Sequence, residues 1–145
     1  MNTIAEIKIS YTNRNLIEQK ITTSEKAFEV LTKIWDQGLI QLQEEFKMLL
    51  LDRNNNLLGF YSLSKGGISG TVVDLKLLFA VALKSKASAI LLAHNHPSGN
   101  LKASNEDIEL NKRIKSAAKF LDIHFLDHLI ISSKGFSSFS DEGLM

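Results

Sequence analysis

Ala89-Ile90-Leu91-Leu92-Ala93-His94-Asn95-His96-Pro97-Ser98-Gly99-Asn100-Leu101-Lys102-Ala103-Ser104-Asn105-Glu106-Asp107 is the stretch on which the reading of this chain turns. Its first five residues are a short, continuously apolar run, as expected of a strand buried on both faces. Residues two apart on a strand point to the same side, so His94 and His96 can close on one ion without distorting the backbone. After the turn at Pro97-Ser98-Gly99, a carboxylate, Asp107, stands near the start of a new helical pattern. Two histidines and one carboxylate leave a fourth position for water, which is the pattern of a catalytic rather than a structural zinc site. The plain alternative is that both histidines are ordinary polar residues of a loop following a strand.

Around that stretch lies a chain of 145 residues, long enough to bury one sizeable core and too short for two ordinary ones, so 1–145 is read as a single domain. With 44% hydrophobic and 23% charged residues the composition is that of a soluble globular protein. No apolar run is long enough to span a bilayer, and the first residues carry no basic and apolar leader. A cytoplasmic protein that does not engage membranes is expected. The chain has no cysteine, which removes disulfides, thiolate catalysis and Cys-ligated zinc together. Any transition metal must be held by carboxylates and by the four histidines. A net charge of +1 gives no strong global field for capturing a polyanion, so DNA binding would rest on a local patch.

From the N-terminus, the alternation Ile4, Glu6-Ile7-Lys8-Ile9, Tyr11, the turn residues Asn13-Arg14-Asn15 and then Leu16 to Ile21 predict a hairpin. Ser24 is a candidate N-cap for a helix with Ala27, Val30, Leu31 and Ile34 on one stripe, ended by Gly38. Glu44 to Asp52 and Leu57 to Leu63, joined by Arg53-Asn54-Asn55-Asn56, read as a β-hairpin. Lys65-Gly66-Gly67-Ile68-Ser69-Gly70 lacks both the ending of a P-loop and the spacing of a dinucleotide fingerprint, so it reads as a flexible loop. Asp74 caps a predicted helix to about Ser85 with Leu77, Leu78, Val81 and Ala82 inward. A further helix is predicted from Asn105 to Phe120 with Ile108, Leu110, Ile114, Ala117 and Ala118 inward. Strands from Ile123 to Ser132 and Phe136 to Phe139 complete the chain. Hairpins mixed with single helices predict the α+β class, an α/β sandwich with a mixed central sheet flanked by about three helices.

Ser104-Asn105-Glu106-Asp107 also has the form of an N-capping arrangement, in which the acid reaches back to the cap. A serine there can cap and still present its hydroxyl to a substrate. A zinc hydrolase needs a carboxylate outside the ligand set as general base, and Glu44 and Glu45 are the candidates. Glu44 shares a strand face with Phe46, Met48 and Leu50, the expected core face, whereas Glu45 points the other way. His124 and His128, four apart on a predicted strand, could be further ligands but read better as exposed or hydrogen-bonded strand residues, with Asp127-His128 as a buried structural contact. His94-Asn95-His96 is not the nuclease motif with the same letters, whose residues are dispersed over a ββα unit.

His94-x-His96-Pro97-Ser98, followed by Ser104-x-x-Asp107, resembles the JAMM metalloprotease signature of JAB/MPN domains. Glu44-Glu45-Phe46, the Gly66-Gly67 loop, His94 through Gly99 and Leu126-Asp127-His128-Leu129-Ile130-Ile131 together resemble the DNA repair protein RadC family over essentially the whole chain. The resemblance implies a cytidine-deaminase-like JAB/MPN fold. It further implies one Zn²⁺ held by His94, His96 and Asp107, with Glu44 as base, Glu45 as its fallback, and Ser104 steadying the oxyanion formed at an amide carbonyl. Ala103 stands where the family usually has proline before the motif serine, which removes a φ constraint but no ligand. Larger RadC-like proteins carry an N-terminal helix-hairpin-helix segment, whereas the first residues here read as strands.

Three functions are therefore in play: a zinc-dependent hydrolase acting on a peptide or isopeptide bond of a protein or peptide substrate, a DNA repair or processing accessory module, and a metal-dependent nuclease. A mononuclear site suits the last less well than the paired metals common in phosphoryl chemistry. Assembly into a homo-oligomer is left open.

Overall fold

A computed structural model of the chain describes residues 3–15, 18–67 and 72–145. Its elements run α1 (Ser24–Ile34), β1 (Glu45–Leu51), β2 (Leu57–Lys65), α2 (Leu75–Lys84), β3 (Ala89–Asn95), α3 (Asn105–Phe120), β4 (His124–Ser132) and β5 (Gly135–Ser138). The strands form one mixed sheet in the order β2-β1-β3-β4-β5. Among the described residues only β3 and β4 pair in parallel, and α3 is the crossover that a parallel pair requires. The α+β architecture expected from the sequence, a mixed sheet with three helices, is the one observed.

The sheet is covered on both faces, which is why β1 and β3 are buried at every position. Because side chains alternate, Leu49, Leu51, Leu91, Ala93, Leu129 and Ile131 face one core, with Ala27, Val30 and Leu31 of α1 packed on them. Phe46, Met48, Leu50, Ile90 and Leu92 face the other, against Leu78, Phe79 and Ala82 of α2 and Ile114 and Ala118 of α3. On β3 this parity sends His94 to the α3 side and Asn95 to the α1 side.

Three helix boundaries and faces differ from expectation. Thr23, with extended backbone, caps α1 by accepting from the Lys26 N–H at 3.1 Å, and Ser24 is already helical. The helix ends at Ile34, before Gly38, because Trp35 is extended and residues 37–42 turn. Asp74 caps α2 as predicted, accepting from Lys76 N–H at 2.9 Å. There the inward face is rotated: Phe79 is buried, whereas Leu77 stands 36% exposed.

The predicted N-terminal hairpin is not formed. Residues 3–15 contain no strand, and one isolated bridge, Lys20 to Asn56, is the sheet-like contact of this region among the described residues. Alternation specifies a strand only where an apolar surface receives one face. Here Ile7 and Ile9 are 85% and 77% exposed, and the Asn15 side chain donates to the Leu57 carbonyl at 2.8 Å instead. Leu16 and Ile17 lie outside the described residues, as do 68–71 of the glycine-rich loop. Gly66 N–H donates to the Glu44 carbonyl at 2.8 Å, tying that loop to the start of β1. No helix among the described residues is long and apolar enough to cross a membrane.

On α3 the buried stripe is Asp107, Asn111, Ile114 and Ala118, and Ile114 is its one large apolar member. Truncating that fully buried side chain, Ile114→Ala, should lower the unfolding free energy by about 3 kcal/mol, measured by urea denaturation.

Candidate metal centre

The site lies where β3 ends, on the face covered by α3. Phe46 of β1 pairs with His94 in register, so Glu44, two residues earlier on the same face, stands over the same end of the sheet. His96 follows β3 directly, its N–H donating to the Ile131 carbonyl at 3.0 Å. A tight turn, closed by Gly99 N–H to the His96 carbonyl at 2.9 Å, then reverses the chain. Gly99 has φ +87°, a conformation that favours glycine. The turn returns the chain to α3, whose first residues face the two imidazoles.

There Ser104 and Asp107 form a reciprocal cap. The Ser104 hydroxyl oxygen accepts from Asp107 N–H at 3.1 Å, and Asp107 Oδ2 accepts from Ser104 N–H at 2.9 Å. This fixes the carboxylate at a helix N-terminus, where the macrodipole favours its charge. Asp107 Oδ1 lies 3.2 Å from His94 Nε2 and Oδ2 lies 3.3 Å from His96 Nε2. The two Nε2 atoms are 2.9 Å apart, and Glu44 Oε1 is 3.9 Å from that of His94. Thus Glu44, His94, His96 and Asp107 each offer one donor atom, all within 4.8 Å of one another. His94 and Asp107 are buried; Glu44 and His96 are half-buried.

The donor chemistry fits a cation. His96 Nδ1 faces the Asn100 carbonyl oxygen at 2.5 Å, and since a carbonyl only accepts, that nitrogen carries hydrogen. Its Nε2 is left to face His94 and Asp107. Two ring nitrogens and two carboxylates turned on one point, largely away from water, call for positive charge there. The protonation pattern agrees: the Asp107 hydrogen bond, opposed by burial and aided by the Asn100 carbonyl and the charges of Asp107 and Glu44, raises the His96 pKa. Burial alone would raise Asp107, but the hydrogen bonds of both histidines, the charge of His94 and the Ser104 N–H hold it well below the usual carboxylate range.

Glu44 and Glu45 are separated by the strand pleat. Glu45 points to the α1 side, buried between Lys47 Nζ at 3.3 Å and Lys65 Nζ at 3.2 Å, and takes no part in the cluster. His124 is exposed and away from it. His128 is fully buried against it, with Nε2 2.8 Å from His94 Nδ1 and Nδ1 3.2 Å from Asn111 Oδ1. Asp127, the neighbour of His128, turns to the opposite face, where it accepts from His128 N–H, Ser138 Oγ–H and Ser140 N–H. Burial, opposed by those three bonds and aided by the nearby charge of Asp141, raises its pKa.

Asn95 was silent in the sequence. Its Oδ1 accepts from Glu45 N–H at 2.8 Å, and its Nδ2 donates to the carbonyls of Ile40 and Gln43, both at 2.8 Å. The residue between the two histidines therefore clamps the backbone on either side of Glu44. Asn111 was also missed, although a polar residue on the inward stripe of an amphipathic helix, one turn beyond Asp107, is a readable anomaly.

Residues 21–144 match the family described as RadC-like JAB domain. The chain is similar to a UPF0758 protein of Flavobacterium johnsoniae, 43% identical over 126 residues, covering 87% of this chain and 54% of that protein. It is likewise similar to a UPF0758 protein of Porphyromonas gingivalis, 41% identical over 129 residues, 88% of this chain and 55% of the other. A third, from Geotalea uraniireducens, is 40% identical over 103 residues, 71% and 45% of the two chains. The chain thus spans about half the length of these relatives.

Two outcomes are expected. A histidine pKa raised above its ordinary 6.5 stabilises the fold fully below that value, and the stabilisation is lost as pH rises through the folded value. His128, pushed down chiefly by burial, acts in the opposite sense near 6.5, where its unfolded form still binds protons, and is neutral in both states only from about one pH unit higher. In chelator-treated protein the thermal midpoint should therefore decline once pH passes about one unit above 6.5, through the folded value of His96, and Asp107→Asn should flatten the decline. Separately, Asn95→Ala removes three hydrogen bonds worth about 1 kcal/mol each and should lower the unfolding free energy by about 3 kcal/mol in urea melts.

Proposed function

The chain belongs to the RadC-like JAB domain family, and from that premise we propose that it is a zinc-dependent hydrolase of the JAMM type, cleaving a peptide or isopeptide bond with water. The observation that carries this reading is the convergence of Glu44, His94, His96 and Asp107 within 4.8 Å beside a serine hydroxyl at a helix start.

His94 Nε2, His96 Nε2 and an Asp107 oxygen would hold the zinc. When bound, Zn²⁺ supplies a Lewis acid that polarises a carbonyl and acidifies water near neutral pH. Glu44 is the proton carrier. It lies at the rim of the cluster, farther from His94 than Asp107 is, and its backbone is held by the Asn95 clamp rather than by the helix that carries Asp107. Its carboxylate takes a proton from the attacking water as the new C–O bond forms and delivers it to the departing nitrogen as the C–N bond breaks, giving an amine and a carboxylic acid that then ionises to solvent. Ser104 uses a lone pair of its hydroxyl oxygen to cap α3, which leaves the hydroxyl hydrogen to donate to the carbonyl oxygen as charge develops there.

In purified, zinc-reconstituted protein, metal analysis should find one equivalent of zinc, and His94→Ala and Asp107→Ala should each abolish it. Against a panel of fluorogenic peptide and isopeptide substrates, Glu44→Gln should keep the metal while slowing cleavage by about 10²–10⁴-fold. Protein that takes up no zinc, or that binds duplex DNA in a steeply salt-dependent way while cleaving no amide, would overturn the assignment.

A further inference from the structure

We infer that His128 and Asn111 are positioning residues of the metal centre, forming a directed hydrogen-bond relay that fixes which nitrogen of His94 is free to bind zinc. This rests on the zinc reading above, and it concerns residues that hold no metal themselves.

The relay is read from its far end. Asn111 Nδ2 faces Met145 Sδ at 3.8 Å, a weak acceptor, so the amide oxygen is the atom turned to His128. That oxygen has no hydrogen, so His128 Nδ1 must donate across the 3.2 Å contact. His128 has no exposed surface, and a fully buried ring whose two partners are an amide and another imidazole holds a single hydrogen. With its one hydrogen on Nδ1, its Nε2 can only accept. At 2.8 Å from that acceptor, His94 Nδ1 must be the donor, and its Nε2 is left with a lone pair facing His96 and Asp107. Reversing the Asn111 amide would reverse every bond in turn and place a hydrogen on His94 Nε2, where it would block the metal.

The ring planes are set by packing. His94 stacks on Phe46 with centroids 4.6 Å apart and planes 21° apart. His128 stacks on Phe139 at 4.4 Å and 19°. Parallel pairing of β3 and β4 puts His128 opposite Leu92, one step from His94 on the same face. Because α3 supplies both Asp107 and Asn111, one turn apart on its buried stripe, a single helix holds a ligand and the end of the relay. A second partner that orients a metal-binding histidine in this way commonly changes metal affinity by about 10–100-fold.

The test measures zinc affinity by competition with a chromophoric chelator, with folding followed by circular dichroism. His128→Phe keeps the stacked ring but removes the acceptor, and Asn111→Leu removes the end of the relay. Each should bind zinc about 10–100-fold more weakly than the unmodified chain. His128→Gln, whose amide oxygen reaches the place of Nε2, and Asn111→Asp, an obligate acceptor, should both bind close to the unmodified chain. In the zinc-loaded chain, ¹H–¹⁵N spectra of the imidazoles should show His128 with its hydrogen on Nδ1. A hydrogen on Nε2, or unchanged affinity in folded His128→Phe and Asn111→Leu, would overturn the relay while leaving the zinc site standing. Failure of the unmodified chain to bind zinc would instead remove the zinc reading and the relay with it. If His128→Phe does not fold, Asn111→Leu and the imidazole spectra decide the question.

Discussion

The pleat of one strand governs the site. At the end of β3, successive side chains must leave on opposite faces, so His94-Asn95-His96 cannot act as a block. The two imidazoles go to the side of α3 and meet Asp107, while the amide between them goes to the side of α1 and grips the backbone of residues 40, 43 and 45. That grip delivers Glu44 to the face the histidines occupy. The two imidazoles and Glu44 are thus placed by two activities of three adjacent residues, one on each side of the sheet.

The same end of the sheet solves a desolvation problem. His94, His128 and Asn111 are buried with hardly any contact with water, and Asp107 is nearly so. Each would be costly there alone. Their burial is offset by pairing: the amide of α3, His128 and His94 Nδ1 hydrogen-bond in a line, and Asp107 accepts from its own helix start. Phe46 and Phe139 wall the line on its apolar flanks.

Much of this was legible from residue order. The apolar run before His94 read as a doubly buried strand, the Ser104 to Asp107 spacing read as a cap, and β3 and α3 fell within a residue or two of their positions, because burial on both faces and capping are local constraints. What failed was pattern without a receiving surface: Ile7 and Ile9 alternate like a strand but meet no core. Thr23 displaced Ser24 because two adjacent hydroxyl residues are equal candidates until the backbone enters the helix. His128 read as an ordinary strand histidine because its closeness to His94 follows from the parallel pairing of β3 and β4, a contact across 34 residues that no local spacing announces.

The buried ion pairs of Glu45 bear on a hazard built into this sequence. Glu44 and Glu45 are chemically the same, so a slip of β1 by one position would still offer a glutamate to the histidines. Chemistry alone would not distinguish the two alignments. Lys47 does: in the observed alignment it lies at 3.3 Å from Glu45, donates to Ser62 Oγ at 2.8 Å and rests over the Trp35 ring, whereas a slip would turn every side chain of β1 to the other face and drive this ammonium toward Leu78, Ile90, Leu92 and Ile114. A lysine on the opposite face of the sheet thereby distinguishes the two alignments of β1, and with them which of two identical acids faces the histidines.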